Sequence, residues 1–324
     1  MRSWIRACER GDVMLFGWFV CLAAGALAVW AVHRGARGGS AGPWRRGLAH
    51  LASDRPAMAA LFILAMLAAL AILAPVVAPY LPNAQPDVVS GNNQPPSLDH
   101  LFGTDFASRD VFSRVLFGGR ISLAVAALAV LLSTCLGTAY GAVAGFHGGR
   151  LDGVMMRVLD AALSIPRILL VMAVVAVARS ITVPTLVLLL GVTGWFGTSR
   201  MVRAQVLSLR EQDLTTAARA LGARDREILW RHLLPNVAST VIVAATLSLG
   251  NVIILEAALS YLGIGIRPPT PSWGNIIQDG SSQLASAWWM ALFPGLAIVI
   301  TVLAINTLGD ALRDALDPRT VDGT

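Results

Sequence analysis

Long apolar blocks separated by polar segments dominate the pattern along the chain. The first blocks cover residues 13–32 and 58–78, and a third covers residues 123–146. Two more lie at residues 237–266 and 287–308. Each block has at least 20 residues, which is the length that an α-helix needs to cross the hydrocarbon core of a bilayer. The pattern therefore predicts an all-α polytopic membrane protein.

The apolar stretch at residues 165–196 is too long for one span. A single helix would place Arg179 near the middle of the bilayer, at a cost of about 2.5–3.5 kcal/mol. A break between Arg179 and Pro184 moves the arginine to the surface and places the proline near a helix start, where its missing N–H is tolerated. We therefore expect two spans here, giving a six-helix core plus one extra N-terminal hydrophobic helix.

Small residues mark one face of the third block. Gly137, Gly141 and Gly145 recur every four residues. This small-xxx-small spacing lets the backbones of two membrane helices approach closely. We therefore expect another helix to pack on this face.

Basic residues cluster beside alternate ends of the apolar blocks. The formal net charge is +6, and all 25 basic residues are arginine. Residues 198–236 carry seven arginines against four acidic residues, which the positive-inside rule assigns to the cytoplasm. Basic clusters at residues 147–157 and 313–319 then fall on the same side. The charge pattern thus reflects membrane topology, with lipid around the spans, rather than nucleic-acid binding. Arginines on both sides of residues 13–32 leave the orientation of that block open.

The apolar blocks lack the catalytic motifs of known membrane enzymes, and the chain lacks a nucleotide-binding motif. Lysine is absent, so the chain cannot hold a P-loop, whose lysine reaches the nucleotide phosphates. Any ATP hydrolysis must therefore belong to a partner. Cys8, Cys21 and Cys135 lie far apart and predict neither a disulfide framework nor a zinc site. Because no apolar block carries His-Glu-x-x-His, Gly-x-Ser-x-Gly or a cluster of His or Cys, we expect no catalytic residue, bound metal or cofactor.

Residues 213–236 form a charged segment between two strongly apolar regions. Gly222 divides this segment and supplies the left-handed conformation that ends many helices. The apolar residues before Gly222 follow the i, i+3, i+4, i+7 spacing of one helical face. They are Leu214, Ala217, Ala218 and Leu221. The spacing predicts a first short helix with an apolar stripe.

A second short helix is predicted after Gly222. Its apolar side would carry Ile228, Leu229, Leu233 and the stem of Trp230, with most of the charged residues opposite. Pro235 is expected to stop this helix. A helix–glycine–helix hairpin of this kind is typical of an element that docks into a partner outside the membrane.

The amino-acid sequence of this hairpin resembles a family signature. Ala217-Ala-Arg-Ala-Leu-Gly222, followed by Arg231-His-Leu-Leu-Pro-Asn236, is similar to the "EAA" loop of ABC-importer permeases. The resemblance implies a coupling helix that sits in a groove of the ATP-hydrolysing subunit. By this resemblance, the expected residues of the ATPase-coupling loop are Thr216, Ala217, Ala218, Arg219, Leu221, Gly222, Arg231 and Pro235. Thr216 stands where the family usually has the naming glutamate, which puts any ion pair made by that glutamate in doubt.

Flanking segments resemble the dipeptide/oligopeptide/nickel branch of these permeases. They include Phe102-Gly-Thr-Asp105, Ser108-Arg-Asp-Val111 and Pro268-Pro-Thr-Pro-Ser-Trp-Gly-Asn275. The first part continues with Ser113-Arg-Val-Leu-Phe-Gly-Gly-Arg-Ile-Ser122. It also fits an interfacial amphipathic helix in which Asp110 and Arg114 pair at i, i+4. The resemblance implies a type I importer permease with four parts. These are an extension at 1–43, a first core span and extracytoplasmic loop at 44–119, the permease core with its coupling loop at 120–319, and a tail at 320–324.

The resemblance also implies partners and a location. The chain is similar to the C-type permease, which pairs with a homologous B-type permease, two ABC ATPase subunits and an extracytoplasmic solute-binding protein in the bacterial cytoplasmic membrane. ATP and Mg would reside on the ATPase subunits. Dipeptides, oligopeptides, nickel chelates and glutathione are all carried by relatives, so the cargo stays open. The alternative is a stand-alone secondary transporter or channel, which would need several membrane-buried ionisable residues.

Two polar residues within apolar blocks are candidates for the substrate path. Glu256 is the one acidic residue inside a block away from its inner end, and intramembrane ionisable residues are functional candidates because exposure to lipid is costly. The alternatives are a structural carboxylate bonded to a neighbouring helix, or one near the outer surface. Asn306 is the second candidate, with packing against other helices as its alternative.

Overall fold

The computed structural model describes residues 2–37, 43–85, 91–177 and 181–316. Within these ranges every regular element is a helix, so the all-α prediction is confirmed. The helices are α1 (Arg2–Arg37), α2 (Pro43–Ser53), α3 (Arg55–Ile72), α4 (Ala74–Val77), α5 (Val111–His147), α6 (Gly149–Leu163), α7 (Arg167–Val177), α8 (Val183–Gly194), α9 (Phe196–Arg210), α10 (Asp213–Ala220), α11 (Asp225–Glu227), α12 (Leu234–Tyr261), α13 (Trp273–Ser281) and α14 (Trp289–Leu316). A π-helix, Ile228–Leu233, joins α11 to α12.

Six helical segments of the described chain are long and apolar enough to cross a membrane. They are Gly17–Ala36, Arg55–Ile72, Val111–His147, Val183–Arg210, Asp225–Tyr261 and Trp289–Leu316. The pair α6 and α7 meets the same criterion together, across a bend of 76°, which gives up to seven spans. By length and composition, this set matches the predicted core of six spans and one N-terminal helix.

The long apolar stretch is divided into two helices, as predicted. α7 ends at Val177 and α8 begins at Val183, while Arg179 lies outside the described residues. The first of the two is shorter than expected, with 11 residues. It therefore reaches the length of a span only together with α6.

The start of α5 differs from the prediction. The helix begins at Val111 rather than near Leu123 and has 37 residues. The predicted ion pair between Asp110 and Arg114 is wrong, because the Asp110 carboxylate accepts the backbone N–H of Ser113 at 2.7 Å. A carboxylate at this position satisfies a donor that the first turn of a helix leaves unpaired. Arg114 turns instead toward other carboxylates.

One compact unit comprises Met1–Ala126, Ile181–Leu186 and Leu249–Thr324. In this unit α1 packs along α3, and α14 packs against α3 and α13. One apolar cluster consists of Cys21, Leu70, Ala74, Val77, Phe112 and Leu116. A second consists of Leu51, Ala57, Met58, Ala311 and Ala315. The unit is formed from distant parts of the chain. The predicted boundaries near residues 43, 119 and 319 stay predictions.

The other compact unit comprises Ala127–Ser180 and Val187–Ser248. Its core consists of Ala142, Phe146, Val202, Val206, Ile228, Leu233 and Val237. The glycine face of α5 lies directly on the backbone of α9: a Cβ at Gly145 would lie 2.7 Å from the Arg203 carbonyl oxygen, and one at Gly141 would overlap the Ser199 carbonyl oxygen. The prediction that another helix packs on this face therefore agrees with the structure.

This contact yields a test. Gly141→Ala places a methyl group where α9 backbone atoms lie, so we expect a loss of about 1–3 kcal/mol in the free energy of unfolding. The measurement is the thermal unfolding midpoint of the purified protein in detergent. Gly153→Ala in α6 is the matched control, because a Cβ there meets nothing within 4 Å. Equal midpoints for the two variants would contradict the close approach.

Candidate functional site

The first half of the hairpin closes at Gly222 as the sequence predicts. α10 ends at Ala220, and Gly222 follows with φ of 85° in the left-handed region. The Ala223 N–H then donates to the Ala218 carbonyl at 3.1 Å, and the Leu221 N–H to the Ala217 carbonyl at 3.0 Å. These bonds satisfy carbonyls that the helix end would leave unpaired. The glycine thus sets the turn between the two halves.

The second half does not end at Pro235, so that prediction is wrong. The chain passes from α11 through the π-helix into α12, and Pro235 is the second residue of α12. In the π-helix the Leu234 N–H donates to the Leu229 carbonyl, five residues back. The wider turn changes the hydrogen-bond pattern just before the proline, whose ring and missing N–H are tolerated in the first turn of a helix. The hairpin and α12 are consequently one continuous helical rod.

The buried face of the hairpin belongs to the π-helix. Ile228 and Leu233 are 0% and 1% exposed and lie in the core of their unit. They are five residues apart, which is the hydrogen-bond spacing of a π-helix. Trp230 lies on the other side and is 64% exposed, so its predicted place beside Ile228 and Leu229 is wrong. The buried pair fixes this half of the hairpin to α9.

The exposed face carries apolar and basic residues together. Leu221 is 88% exposed at the turn. A shallow surface depression is lined by Arg224, Arg226, Glu227, Trp230 and Arg231. Arg231 donates to the Glu227 carboxylate at 2.6 Å. Because this pair is exposed, it contributes at most about 1 kcal/mol. The face therefore presents an unburied leucine and tryptophan with an arginine-rich surround.

The remaining predicted residues lie on α10. Thr216 is exposed, and its hydroxyl donates to the Gln212 carbonyl at 3.4 Å. Ala217 is exposed and Ala218 packs partly against the core. The side chains of Arg219 and Leu214 lie outside the described residues, so the predicted stripe is only partly described. Its two outer members, Ala217 and Leu221, face away from the core.

Sequence reasoning missed the residue that anchors α10. Thr215 is 2% exposed, and its hydroxyl donates to the Leu209 carbonyl near the end of α9 at 2.9 Å. The signal was weak, since a threonine beside the apolar stripe has no distinctive spacing. The anchor holds the start of the hairpin to the preceding helix.

Glu256 lies in a closed hydrogen-bonded cluster. It is 0% exposed, and its two carboxylate oxygens accept the hydroxyls of Ser122 and Ser260, each at 2.8 Å. Ser122 also accepts the Trp273 N–H at 3.3 Å, and Ser260 accepts the Ile266 N–H at 3.1 Å. These bonds match the structural alternative, a carboxylate bonded to a neighbouring helix. Its role in a substrate path stays a prediction.

Asn306 lies on an exposed part of α14. Its side-chain oxygen is 3.3 Å from the position that a Cβ at Gly250 would occupy. The glycine of α12 therefore leaves room for this amide. A role for Asn306 in the substrate path also stays a prediction.

A second buried charge cluster was not predicted. Asp105 accepts hydrogen bonds from Arg109 and Arg114, both at 2.6 Å, and both arginines donate to Asp279 at 3.2 Å. Burial raises the pKa of Asp279, and the two arginines oppose this shift only in part. The cluster therefore orients the segment before α5 against α13 more than it adds net stability. Asp279 lies 165 residues after Arg114, a distance that no spacing rule covers.

The Glu256 cluster generates a prediction for stability. Glu256→Leu removes the acceptor of two buried hydroxyls, each worth about 1–3 kcal/mol when left unsatisfied. Glu256→Gln keeps one carbonyl acceptor and is expected to lie between wild type and Glu256→Leu. The measurement is the unfolding midpoint of the three proteins in detergent. A leucine variant as stable as wild type would show that the carboxylate does not hold this cluster together.

Fold and site together define a class: a multi-pass helical membrane protein with an exposed, arginine-rich hairpin beside its spans. The chain belongs to the family described as binding-protein-dependent transport system inner membrane component, whose model matches residues 137–322. A second family model, the N-terminal TM domain of oligopeptide transport permease C, matches residues 42–96. The predicted resemblance to these permeases is confirmed.

Similar proteins are permeases of bacterial transport systems. The chain is 41% identical over 277 residues to the dipeptide transport system permease protein DppC of Bacillus subtilis (strain 168), covering 85% of this chain and 84% of that protein. It is 37% identical over 276 residues to the oligopeptide transport system permease protein OppC of the same strain, covering 85% and 90%. It is 41% identical over 283 residues to a putative peptide permease protein of Brucella suis biovar 1 (strain 1330), covering 86% and 92%.

Proposed function

We propose that the chain is the non-catalytic, membrane-spanning permease subunit of an ATP-driven ABC importer for di- or oligopeptides or related small solutes. The observation that carries the proposal is the exposed face of the hairpin in a chain of this permease family. The names of the similar dipeptide and oligopeptide permeases support the cargo class. The chain would act in the bacterial cytoplasmic membrane as the C-type partner of a B-type permease.

The hairpin is proposed to dock into a groove of an ABC ATPase subunit. Leu221 and Trp230 expose large apolar side chains, and burying such side chains in a partner is favourable. Arg224, Arg226 and Arg231 surround the tryptophan and suit an acidic rim. ATP and Mg would be bound by the two ATPase subunits, and an extracytoplasmic solute-binding protein would deliver and select the cargo.

Motion is proposed to pass through the buried face of the hairpin. Ile228 and Leu233 pack with Val202 and Val206 of α9, and the π-helix continues without a break into α12. A displacement of the hairpin must therefore move α9 and the start of α12 with it, because close-packed interiors transmit strain. Nucleotide binding would bias an equilibrium between inward-open and outward-open states through this contact.

The alternative of a stand-alone secondary transporter has less support. Ion-coupled carriers use intramembrane ionisable groups that exchange partners during transport. Both oxygens of the Glu256 carboxylate accept serine hydroxyls, and the side chain is fully enclosed. An exposed docking hairpin would also have no role in such a carrier. A contribution of Glu256 or Asn306 to the path of the solute remains part of the proposal.

Docking is tested at Leu221. Leu221→Asp replaces an apolar contact with a charge, so we expect affinity for the ATPase subunits to fall about tenfold or more, since burial of a leucine contributes about 1.5–3 kcal/mol. The measurement is co-purification of the ATPase subunits with the permease. Leu98→Asp is the matched control, because Leu98 is 97% exposed but lies in the segment before α5. Undiminished co-purification with Leu221→Asp would argue against docking through this face.

Coupling is tested at Gly222. Gly222→Pro cannot adopt the φ of 85° that the turn requires, so we expect ATP-dependent uptake in reconstituted vesicles to be lost while the protein still inserts. A charge at Ala218, as in Ala218→Asp, should have the same effect because it disturbs packing on the core. Gly222→Asn is the control, since asparagine tolerates the left-handed region. Normal uptake by Gly222→Pro would exclude the hairpin as the coupling element.

A further inference from the structure

Arg167 is a partly buried cation at the break between α6 and α7. Its Nη2 donates to the Leu190 carbonyl at 2.7 Å, and its Nε donates weakly to the Thr193 hydroxyl at 3.4 Å. No acidic side chain of the described ranges forms an ion pair with it. A guanidinium has five N–H donors, so most of its hydrogen-bonding capacity and its whole charge remain for a further partner.

The helix lengths place Arg167 near the middle of the membrane. Arg167 is the first residue of α7, which has 11 residues, so it lies about 15 Å from the other end of this helix at about 1.5 Å per residue. Thr193 is the last but one of the 12 residues of α8, which gives about the same distance from the start of that helix. Both of these ends flank the segment with Arg179, which the charge pattern places at the extracytoplasmic surface. The hydrocarbon core is about 30 Å thick, so the guanidinium lies near its centre.

The chain beside Arg167 is not helical. α6 ends at Leu163, and α7 continues from Arg167 after a bend of 76°. Irregular backbone at this depth is tolerated where protein covers it or where it lines a water-filled cavity, but not against lipid. Ile165, within the break, is 50% exposed, so the described chain does not cover it. An intramembrane arginine likewise faces other helices or a water-filled cavity, and such residues mark the paths of solutes.

The guanidinium faces a cavity of about 200 Å³. Thr193 adds a hydroxyl to the lining, and Leu170 and Phe196 supply apolar walls. Gly194 makes room for the cation, because a Cβ there would lie 2.9 Å from the Arg167 Nη2 atom. Cavities that enclose a whole drug-sized ligand measure about 300–1,000 Å³, so this one accommodates one end of a solute.

The end of a peptide matches both features of the cavity. Its C-terminal carboxylate suits the cation, and its last side chain suits the apolar walls, whereas an acidic side chain of a partner permease offers only the charge. We propose that the Arg167 cavity lines the solute path and binds the C-terminal carboxylate of the translocated peptide near the middle of the membrane. The inference rests on the proposed function, a peptide importer whose path two permeases share.

The first test is thiol labelling in membranes that contain the assembled importer. Ile165→Cys is introduced into a chain that carries Cys8→Ala, Cys21→Ala and Cys135→Ala, and it is treated with an anionic or a cationic water-soluble methanethiosulfonate. We expect both reagents to label it, because the cavity is filled with water. Arg167→Gln should lower the ratio of the anionic to the cationic rate about tenfold, since a nearby positive charge attracts the anion. Arg167→Lys keeps the charge and should keep the ratio.

The second test is protection of the same cysteine by peptides. Dialanine and tetraalanine should each slow the labelling of Ile165→Cys, whereas their C-terminal amides should not. Arg167→Gln should abolish the protection, while labelling by the cationic reagent shows that the site is still formed. Arg157→Gln is the matched control, because Arg157 is exposed on α6 and does not line the cavity. It should change neither the rate ratio nor the protection.

Three results would overturn the proposal. The first is no labelling by either reagent, which would show that lipid or the partner permease covers the cavity. The second is an unchanged rate ratio in Arg167→Gln, and the third is equal protection by the peptides and their amides, or none. ATP-dependent uptake by wild type separates the two proposals. Uptake of these peptides without protection would contradict the Arg167 site alone, and no uptake of either would contradict peptides as the cargo.

Discussion

The contact of Ile228 and Leu233 with α9 is the constraint on which the hairpin depends. Both side chains are fully enclosed with Val202 and Val206. A short charged hairpin would have little stability by itself, since isolated short helices are marginal in water. Its shape therefore comes from tertiary packing, and the same packing leaves Leu221 outside. One face of the hairpin is thus fixed to the bundle, and the other is the exposed face for which docking is proposed.

The backbone contact between α5 and α9 extends this constraint. Gly141 and Gly145 allow the carbonyls of Ser199 and Arg203 to lie against α5. Close backbone approach is a main source of attraction between membrane helices, where lipid is as apolar as leucine. Arg203 adds a bidentate ion pair with Asp152 of α6. Three helices thus hold the platform on which the hairpin rests.

Sequence reasoning recovered what depends on local length and spacing. The spans follow from the apolar length that a bilayer requires, and Gly222 from the backbone conformation that ends α10. Pro235 was misjudged because a π-helix is decided by tertiary packing of residues five apart, which no common periodicity rule represents. Trp230 was misplaced for the same reason. Local patterns predicted where helices form, while contacts between distant residues decided which side of each helix is buried.

Buried charges show the same division. The Asp110 carboxylate accepts a backbone N–H of the first turn of α5, three residues ahead. The Arg114 guanidinium instead donates to Asp279, which is distant in sequence. Pairing at i, i+4 contributes only about 0.2–0.5 kcal/mol on a helix surface, so a buried bidentate arrangement readily overrides it. Spacing rules for ion pairs therefore apply to exposed helix surfaces and not to the enclosed start of α5.

Thr216 bears on how the hairpin attracts a partner. Its hydroxyl donates to the carbonyl of Gln212, just before α10, and the side chain carries no charge. The glutamate usual at this position in similar permeases would add a negative charge near the start of the helix, where the helix dipole favours it. Without that charge, electrostatic attraction has to come from Arg224, Arg226 and Arg231, on the other half of the hairpin. If the proposed docking holds, the groove of the ATPase subunit should accordingly be acidic around Trp230 and apolar at Leu221.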